Sequence, residues 1–300
     1  MRDNRTVPLS RERNSEDMKK VSVVLPVFNG EDYLAKSIES VLQQTYTNLE
    51  LIIVDDKSKD RTPEIIKEYA AKDKRVIAHR NKKNLKLPRA LNVGFLKASG
   101  EYRTWTSHDN LYAKDAIEKM VAALEAEPEA VLVCADMEKV NRDGVHTGEI
   151  RLREPEDIYL TNTVGACFLY RHEKSRFIGG YDTELFLAED YDYWIRLSKQ
   201  GPFIHLPEIL YTVREHEGSL SSTKAKESNK QYVKVIKKHF KYLYDSLDTM
   251  ERKDQLVNEL MNRANTFFMK LGAVSTISKR RGGYGFRVLH GWVYGLFHKS

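Results

Sequence analysis

Cysteine is scarce in this chain of 300 residues, since only Cys134 and Cys167 are present. Two cysteines do not form a disulfide framework, which excludes the class of small secreted domains held together by disulfides. The same scarcity favours a reducing, cytoplasmic compartment. Each cysteine is expected to be a small core residue rather than a nucleophile.

Long apolar runs are also absent from the sequence. No segment approaches the roughly 18 to 20 consecutive apolar residues of a membrane-spanning helix, so we expect a soluble or peripheral protein. Residues 1–20 are rich in charged residues, asparagine and serine and lack the apolar core of a signal peptide. They are expected to form a flexible leader, and nothing in them suggests secretion.

Composition and charge divide the chain into two parts. Hydrophobic residues make up 41% and aromatic residues 10% of the chain, which excludes general disorder. The length suits one large domain plus an appendage. The formal net charge is +6. The basic character belongs to residues 223–300, which carry about 16 lysines and arginines against about 6 acidic residues.

Four short runs with strand character alternate with segments of helical spacing. The runs are VSVVLP from Val21, LELIIV to Val54, RVIAH from Arg75 and EYRTWT to Thr106. This alternation predicts an α/β fold whose mostly parallel sheet has helices on both faces. Ligands bind such sheets at the carboxyl ends of the strands, so the loops after Pro26, Val54 and Thr106 should meet in one crevice.

The helices between these runs have their own start signals. The clearest is TPE, where Thr62 is expected to cap the second helix and Pro63 to occupy the first helical position. The first helix should begin after PVFNG, and Gly100 should follow the end of the third. These helices would cover the sheet and leave the strand-end loops open to a ligand.

Four motifs follow each other in an order that resembles a known family. They are PVFNGEDYLAKSIESVLQQTYTNLELIIVDDKSKDRT, LPRALNVGFLKASGEY, AEDYDYWIRL and VREHEGSLSS. Together they resemble the inverting glycosyltransferases of family 2, which have the Rossmann-like GT-A fold and include the spore-coat polysaccharide transferase. The resemblance implies a GT-A domain over residues 21–222, after the leader 1–20 and before a basic helical C-terminal extension over 223–300.

The turn after the first strand is predicted to consist of Pro26, Val27, Phe28 and Asn29. Its backbone groups and its aromatic edge suit the base of a nucleotide. An ordinary strand-to-helix turn explains the same residues equally well. We therefore treat this segment as a candidate nucleotide-binding turn.

Asp55 and Asp56 follow an apolar run directly, where two carboxylates are costly unless other groups pair with them. The resemblance implies that Asp56 accepts the imide N–H of uracil and that Asp55 is structural. Helix capping is the alternative for this pair. Arg89 lies at the start of the third helix, where its planar guanidinium could contact the base or the diphosphate. An exposed surface arginine is the alternative there.

The SHDN loop departs from the family pattern. Many members carry Asp-x-Asp at this place, whereas here Ser107 occupies the first position and Asp109 is the aligned carboxylate. One carboxylate can hold Mg²⁺ or Mn²⁺ when phosphate oxygens and water complete the coordination. The resemblance implies His216 as a second metal ligand and places Arg214 at the diphosphate. His108 could orient the nucleotide sugar, with an ordinary loop residue as the alternative.

The LAEDYDYWIRL motif places Glu189 and Asp190 at the start of a predicted helix. Acidic residues at this position also complement the helix dipole, so their type alone leaves a structural role open. The resemblance implies that Asp190 is the general base, which accepts the proton of the acceptor hydroxyl during an inverting displacement. Glu189 is assigned a supporting role.

Two basic, amphipathic helices are predicted over residues 227–247 and 252–271, and their apolar stripes should pack on the catalytic domain or on another subunit of a homo-oligomer. The stripe of the first helix includes Tyr232. The last segment, 278–300, combines basic and aromatic residues that suit an anionic membrane surface. A terminal element docked on the protein is the alternative. Nucleic acid is disfavoured as a partner, since no recognised binding motif accompanies the charge.

The sequence therefore predicts a metal-dependent inverting glycosyltransferase. It would move a sugar from a nucleotide-diphosphate donor, a UDP-sugar, to a glycan or lipid-linked acceptor in polysaccharide assembly. It would act in the cytoplasm or at the inner face of the membrane. A catalytically weakened nucleotide-binding scaffold is the main alternative, which the loss of the first motif aspartate favours. A nucleotidyltransferase would leave the Glu189–Asp190 pair unexplained.

Overall fold

A mixed sheet of nine strands runs through the computed structural model, which describes residues 18–218 and 224–263. The strands are β1 (Val21–Val27), β2 (Leu49–Asp55), β3 (Val76–Arg80), β4 (Tyr102–Trp105), β5 (Leu111–Tyr112), β6 (Leu132–Val140), β7 (His146–Ile150), β8 (Phe168–Arg171) and β9 (Phe203–Arg214). The helices are α1 (Leu34–Leu42), α2 (Thr62–Lys72), α3 (Leu87–Phe95), α4 (Ala116–Ala126), the 3₁₀ helix η1 (Pro155–Tyr159), α5 (His172–Ser175), α6 (Glu189–Leu197), α7 (Ala225–Ser246) and α8 (Met250–Arg263).

The strand order confirms the predicted α/β, GT-A-like architecture. The strands lie in the order β3, β2, β1, β4, β8, β6, β9 and β5, with β7 paired to β6. β1 pairs in parallel with both β2 and β4, and β2 pairs in parallel with β3. The chain thus builds outward from β1 in both directions. The ends of β1, β2 and β4 consequently share one edge, where a crevice forms at the change of direction.

The central strands have helices on both faces. β1 and β2 are buried along their whole lengths, which explains why their sequences are almost continuously apolar. Val23 belongs to the core beneath α1, α2 and α4, whereas its neighbour Val24 belongs to the core beneath α3, α6, α7 and α8. Successive side chains of one strand therefore serve two different cores.

The two cysteines are buried in these cores and are not paired with each other, as predicted. Burial raises the pKa of Cys134 to about 12 and also raises that of Cys167. Both thiols are consequently protonated at neutral pH, which disfavours a nucleophilic role.

The helix start at Thr62 differs from the sequence prediction. α2 begins at Thr62 itself, Arg61 occupies the N-cap position, and no side-chain hydrogen bond caps the helix. The predicted capping role is therefore wrong. The Thr62 hydroxyl is engaged elsewhere, since its Oγ1 accepts a hydrogen bond from the backbone N–H of Gly30 at 2.9 Å. It thereby links α2 to the turn after β1.

The helices α7 and α8 confirm the predicted C-terminal helical extension as far as Arg263. Their apolar residues share one core with α3 and α6. The domain boundary between residues 222 and 223 stays a prediction, as do the homo-oligomer and the predicted location in the cell. Within the described ranges, no helix combines the length and the apolar content needed to cross a bilayer. Most of the predicted leader and the basic, aromatic segment 278–300 lie outside the described residues.

A buried carboxylate joins α6 to α7. Asp192 is fully buried, and it accepts hydrogen bonds from His239 Nε2 and Arg196 Nε, each at 2.8 Å. Lys238 Nζ lies 2.8 Å from the same carboxylate. Burial opposes ionisation, but the His239 hydrogen bond and the charges of Arg196 and Lys238 hold the pKa of Asp192 well below its usual value. An ion cluster thus reinforces the apolar contacts of α7.

Replacing Asp192 by asparagine should lower the free energy of unfolding by about 3 kcal/mol, because the largely buried Arg196 would lose its counter-charge. Urea unfolding at neutral pH measures the effect. The matched control is Asp248→Asn, since the Asp248 side chain is 72% exposed and lies 3.6 Å from Arg252. That control should cost under about 1 kcal/mol. Equal losses in the two variants would contradict the proposed link.

Candidate functional site

The loops after β1, β2 and β4 meet in one crevice, as the sequence predicts. The backbone N–H of Asp56 donates to the Val27 carbonyl at 2.8 Å, which joins the first two loops. The Ser37 hydroxyl on α1 donates to the Ser107 carbonyl at 2.9 Å, which brings in the third. The carboxyl edge of the sheet is therefore a single connected surface.

The first loop is shorter than predicted. Pro26 and Val27 are buried in β1 and pair with Val54 and Asp55, so their predicted place in the turn is wrong. The Val27 carbonyl faces β2. The nitrogen of Pro26, one residue earlier, therefore faces the opposite side, toward β4. The pairing of β1 with β4 ends at Val24, before it reaches this proline. The missing N–H of proline thus costs no ladder hydrogen bond, and the strand continues through it.

Phe28 and Asn29 form the turn itself. The Phe28 ring is 43% exposed, which is high for a large apolar residue and leaves a face open to a planar ligand. Asn29 has φ +53°, and its Oδ1 accepts a hydrogen bond from the Lys59 N–H at 2.9 Å. This bond fixes the turn against the loop after β2.

The two adjacent aspartates of the second loop bind different partners. Asp55 is buried and forms an ion pair with Arg80 at 2.9 Å, which agrees with a structural role. Asp56 accepts hydrogen bonds from the side chain of Asn81 and from the backbone N–H groups of Leu85 and Lys86, at 2.8–2.9 Å. It therefore orders the segment that leads into α3. Each carboxylate oxygen can accept two hydrogen bonds. Asp56 Oδ2 accepts one from Lys86, so it can accept a second from the base of a nucleotide.

Arg89 lies on the first turn of α3 and is half exposed. Its Nη2 lies 3.4 Å from Glu184 Oε1, in the segment that precedes α6. This contact joins α3, at the crevice, to the segment carrying the acidic pair. A direct contact of Arg89 with a nucleotide stays a prediction.

The two predicted metal ligands lie together, although they are 107 positions apart in sequence. His216 Nε2 is 3.0 Å from Asp109 Oδ2. His216 Nδ1 accepts the backbone N–H of Gly218 at 3.2 Å, so a neutral ring carries its proton on Nε2 and donates it to Asp109. The ring of Tyr33 packs on His216 at a centroid distance of 5.3 Å. Carboxylate and imidazole thus converge at the crevice.

Arg214 connects this pair to the surrounding loops. Its guanidinium lies 4.8 Å above the Tyr33 ring and donates to the carbonyl oxygens of Asn141 and Arg142. Its Nε donates to the Asp109 carbonyl at 3.3 Å. Arg214 therefore holds the loop after β4 against the turn between β6 and β7, next to the predicted position of a diphosphate.

His108 packs on the first loop. A Cβ on Gly30 would lie only 2.6 Å from His108 Cδ2, so the turn tolerates only glycine at this contact. Burial lowers the pKa of His108 below its ordinary value, which favours the neutral ring. Its predicted contact with a nucleotide sugar stays a prediction.

The donor set suits Mn²⁺ or Mg²⁺ bound together with a diphosphate. In the part of the chain that the structure describes, no group of three or more His, Cys, Asp or Glu side chains could hold an ion. Asp109 and His216 supply one carboxylate and one imidazole. A hard divalent cation of this kind keeps water and phosphate oxygens in its coordination shell. The side chains present therefore fit a metal that arrives with the substrate.

The predicted catalytic pair lies at the start of α6. Glu189 is buried, and its Oε2 accepts the N–H of Leu187 at 2.7 Å. Burial, assisted by the charge of Asp190, raises the pKa of Glu189 to about 8. Burial also raises the pKa of Asp190, although hydrogen bonds from the Tyr191 N–H and the Asn162 side chain oppose the rise. Burial thus favours the protonated form of both carboxyl groups.

Two residues beside Asp190 were missed by the sequence analysis. Asn162 Nδ2 donates to Asp190 Oδ2 at 2.8 Å, and its Oδ1 accepts the Val164 N–H at 3.1 Å, which fixes the orientation of the amide. Tyr232 of α7 stacks on Tyr191 at 5.0 Å. The helical spacing of Tyr232 signalled a buried position, whereas no spacing distinguished Asn162 from other loop residues.

The family described as glycosyl transferase family 2 matches residues 22–179, a region that contains the first three loops and Asn162. The chain belongs to glycosyltransferase family 2. A glycosyltransferase of Rickettsia typhi, RT0329, whose activity is uncharacterized, is 31% identical over 214 residues, which cover 68% of this chain and 66% of that protein. A Bacillus subtilis protein named EpsE is 36% identical over 203 residues, covering 65% of this chain and 73% of EpsE. The chain thus spans just under two thirds of the Rickettsia relative.

Solved structures with lower identity have the same fold as this family 2 chain. TarS of S. aureus, residues 1–349 in complex with UDP-GlcNAc, superposes with a TM-score of 0.65 at 20% identity, covering 87% of this chain and 80% of that chain. The mannosyltransferase PcManGT of Pyrobaculum calidifontis, in complex with GDP-Man and Mn²⁺, superposes with a TM-score of 0.61 at 17% identity, covering 94% and 81%. At these identities the likeness is one of fold.

The raised pKa of Glu189 predicts that stability falls as pH rises. The folded state keeps the proton up to about pH 8, whereas the unfolded carboxyl releases it near its ordinary value of 4.5. The stabilisation from this proton is therefore complete below pH 4.5. It is lost as the pH rises through the pKa of Glu189 in the folded protein. In the Glu189→Gln variant, the free energy of unfolding should fall less between pH 4.5 and about pH 8. Urea unfolding across this pH range measures the difference.

The matched control is Glu184→Gln, since the Glu184 side chain is 82% exposed. It should leave the pH profile of stability unchanged. A Glu189→Gln profile that follows the wild type would show that this carboxyl does not hold its proton in the folded state.

Proposed function

We propose that this family 2 enzyme transfers a sugar, with inversion, from a UDP-sugar to a hydroxyl of a glycan or lipid-linked acceptor in polysaccharide or other glycan assembly. The observation that carries the proposal is the 3.0 Å contact between Asp109 and His216 beside the nucleotide-binding loops. The contact joins two motifs that are distant in sequence. It concentrates the groups suited to a nucleotide diphosphate at one edge of the sheet.

On the donor side, Phe28 would pack against the base and Asp56 Oδ2 would accept the imide N–H of uracil. The exposed ring and the remaining acceptor position support these roles. Arg214 would turn from the carbonyl groups it now contacts toward the diphosphate, where a guanidinium forms stronger, charge-assisted hydrogen bonds. Arg89 and His108 would border the donor from α3 and from the loop after β4.

Asp109 and His216 would hold Mn²⁺ or Mg²⁺ together with the diphosphate. When bound, the ion would stabilise the negative charge that develops on the leaving diphosphate. The Asp109–His216 hydrogen bond would open to admit it. The Mn²⁺ in the complex of PcManGT supports this type of cofactor.

On the acceptor side, Asp190 would accept the proton of the attacking hydroxyl. The hydrogen bonds that Asn162 Nδ2 and the Tyr191 N–H donate to Asp190 oppose the effect of burial on its pKa and favour the ionised form that a base requires. Trp105, at the end of β4, packs on Phe168, and Phe168 packs on Trp194 of α6. These contacts support a position of the acidic pair of α6 beside the crevice. One displacement without a covalent intermediate inverts the anomeric carbon.

The complexes of structural neighbours support a nucleotide-sugar donor, since TarS is bound to UDP-GlcNAc and PcManGT to GDP-Man. Ser107 in place of the first motif aspartate favours the alternative of a nucleotide-binding scaffold. Two observations support an enzyme instead. Asp109 and His216 are in contact, and the Asp190 carboxylate accepts a hydrogen bond from Asn162. A scaffold would need neither group.

UDP with Mn²⁺ should raise the melting temperature, because a ligand that binds only the folded state stabilises it. Asp109→Ala should abolish the metal-dependent part of the shift, and Asp56→Ala should reduce the whole shift. Differential scanning fluorimetry with and without a chelator measures both. A shift that persists with chelator, or that adenine nucleotides reproduce, would rule out the proposed donor site.

Asp190→Asn should keep donor affinity and lower transfer by on the order of 10²- to 10⁴-fold, because the amide cannot accept the hydroxyl proton. Asn162→Ala should retain more activity but move the acid limb of the pH profile to higher pH, since the lost hydrogen bond stabilised the Asp190 carboxylate. UDP release from a panel of UDP-sugars, with calorimetry for donor binding, measures both. A loss below about tenfold in Asp190→Asn would refute this base, and NMR showing a retained anomeric configuration would refute the inversion.

A further inference from the structure

A polar groove lies between η1 and α8, on the outer face of the C-terminal helices. Its volume is about 690 Å³, and it opens widely to solvent. This volume falls in the range of about 300–1,000 Å³ that is usual for small-molecule sites. None of the residues assigned above to the donor or to catalysis lines it. The groove is therefore separate from the crevice at the strand ends.

One face of α8 supplies the amide groups of the groove. Gln255, Asn258 and Asn262 recur at helical spacing and are exposed, whereas Leu256 and Leu260 on the other face are fully buried. The Gln255 Oε1 is bound by the Tyr159 hydroxyl at 2.8 Å, which leaves its NH₂ group available to the groove. In the described ranges, Asn258 and Asn262 make no side-chain hydrogen bond.

The charges that line the groove nearly balance each other. Arg252 lies above the Tyr159 ring at 5.2 Å and 3.8 Å from Asp157, and Glu259 pairs with Arg263 at 2.5 Å. Arg153 and Glu251 also line the groove, which thus has two cationic and three acidic residues among those that the structure describes. Charges of both signs in nearly equal number create no strong field for an anion or a cation. Amides both donate and accept hydrogen bonds, as sugar hydroxyls do. The chemistry of the lining consequently suits an uncharged carbohydrate.

The groove adjoins the candidate catalytic pair. The chain of η1 continues through Leu160 to Asn162, the residue bound to Asp190. The Tyr191 hydroxyl, next to Asp190, donates to the Ile158 carbonyl at 2.7 Å. At the far end of α8, the Arg263 guanidinium covers the ring of Tyr232, which stacks on Tyr191. Both walls of the groove thus reach the residues that surround Asp190.

We propose that this groove binds sugar residues of an uncharged oligosaccharide acceptor, beyond the sugar whose hydroxyl reacts at Asp190. The role of the groove as an acceptor site rests on the proposed transferase function. Binding of an oligosaccharide in the groove does not require the sugar donor. The acceptor would be a growing glycan chain rather than a monosaccharide, because a single sugar could not occupy both places.

The test uses the full-length protein and an array of short uncharged oligosaccharides together with their monosaccharides. Wild type should bind an oligosaccharide more tightly than its monosaccharide, and the Asn258→Ala/Asn262→Ala double variant should weaken that binding by about tenfold through two lost hydrogen bonds. Gln43→Ala, an exposed amide at the end of α1, is the matched control and should bind as wild type does. Raising the salt concentration should leave the affinity unchanged, since the ligand carries no charge.

Unchanged binding in the double variant would overturn the proposal and would point to another site or to a groove covered by the chain itself. Absence of binding to every uncharged oligosaccharide, or affinity that falls steeply with salt, would also overturn it. Melting curves and UDP-sugar hydrolysis of the same variants separate this result from the transferase function. Loss of oligosaccharide binding with normal hydrolysis supports the groove, whereas absent hydrolysis with intact groove binding would refute the transferase alone.

Discussion

The parallel pairing of β1 with both β2 and β4 is the constraint on which the site depends. Parallel strands end at the same edge of a sheet, so three loops from separate parts of the sequence must meet there. The Asp56 N–H bond to Val27 extends this pairing beyond the regular strands and fixes the second loop against the first. Helices on both faces then keep the strands buried, so the three loops at this edge carry the polar groups of the candidate site.

The fold could be predicted from sequence where burial produces a pattern. β1 and β2 are buried on both faces, so their runs are nearly continuous and easily recognised. The loops of the candidate site were located because they follow such runs, although the roles proposed for their side chains came from family resemblance. The strand run was recognised up to Pro26, but Pro26 and Val27 were also assigned to the turn, whereas β1 continues to Val27. Whether a proline ends a strand depends on which neighbouring strand its nitrogen faces. Here the Pro26 nitrogen faces β4, whose pairing with β1 ends at Val24. The sequence of β1 alone does not show where that pairing ends.

Contacts between distant segments were the least predictable part of the site. Asn162 binds Asp190 from a loop without regular structure, and its sequence surroundings carry no periodic signal. Helical spacing placed Tyr232 on the apolar face of its helix. It did not indicate that the Tyr232 ring stacks on Tyr191. Asp190 and Asp192 also look alike in sequence, yet burial raises the pKa of one and cationic partners lower that of the other.

The position of Asp192 has a consequence for how the protein opens. Because this buried carboxylate holds α7 against the helix that begins with the acidic pair, separating α7 would remove His239 and Lys238 from Asp192 and leave only its Arg196 partner on α6. Such a penalty couples the two helices into one cooperative unit. On this basis, the C-terminal helices contribute to the rigidity of the helix that carries Glu189 and Asp190.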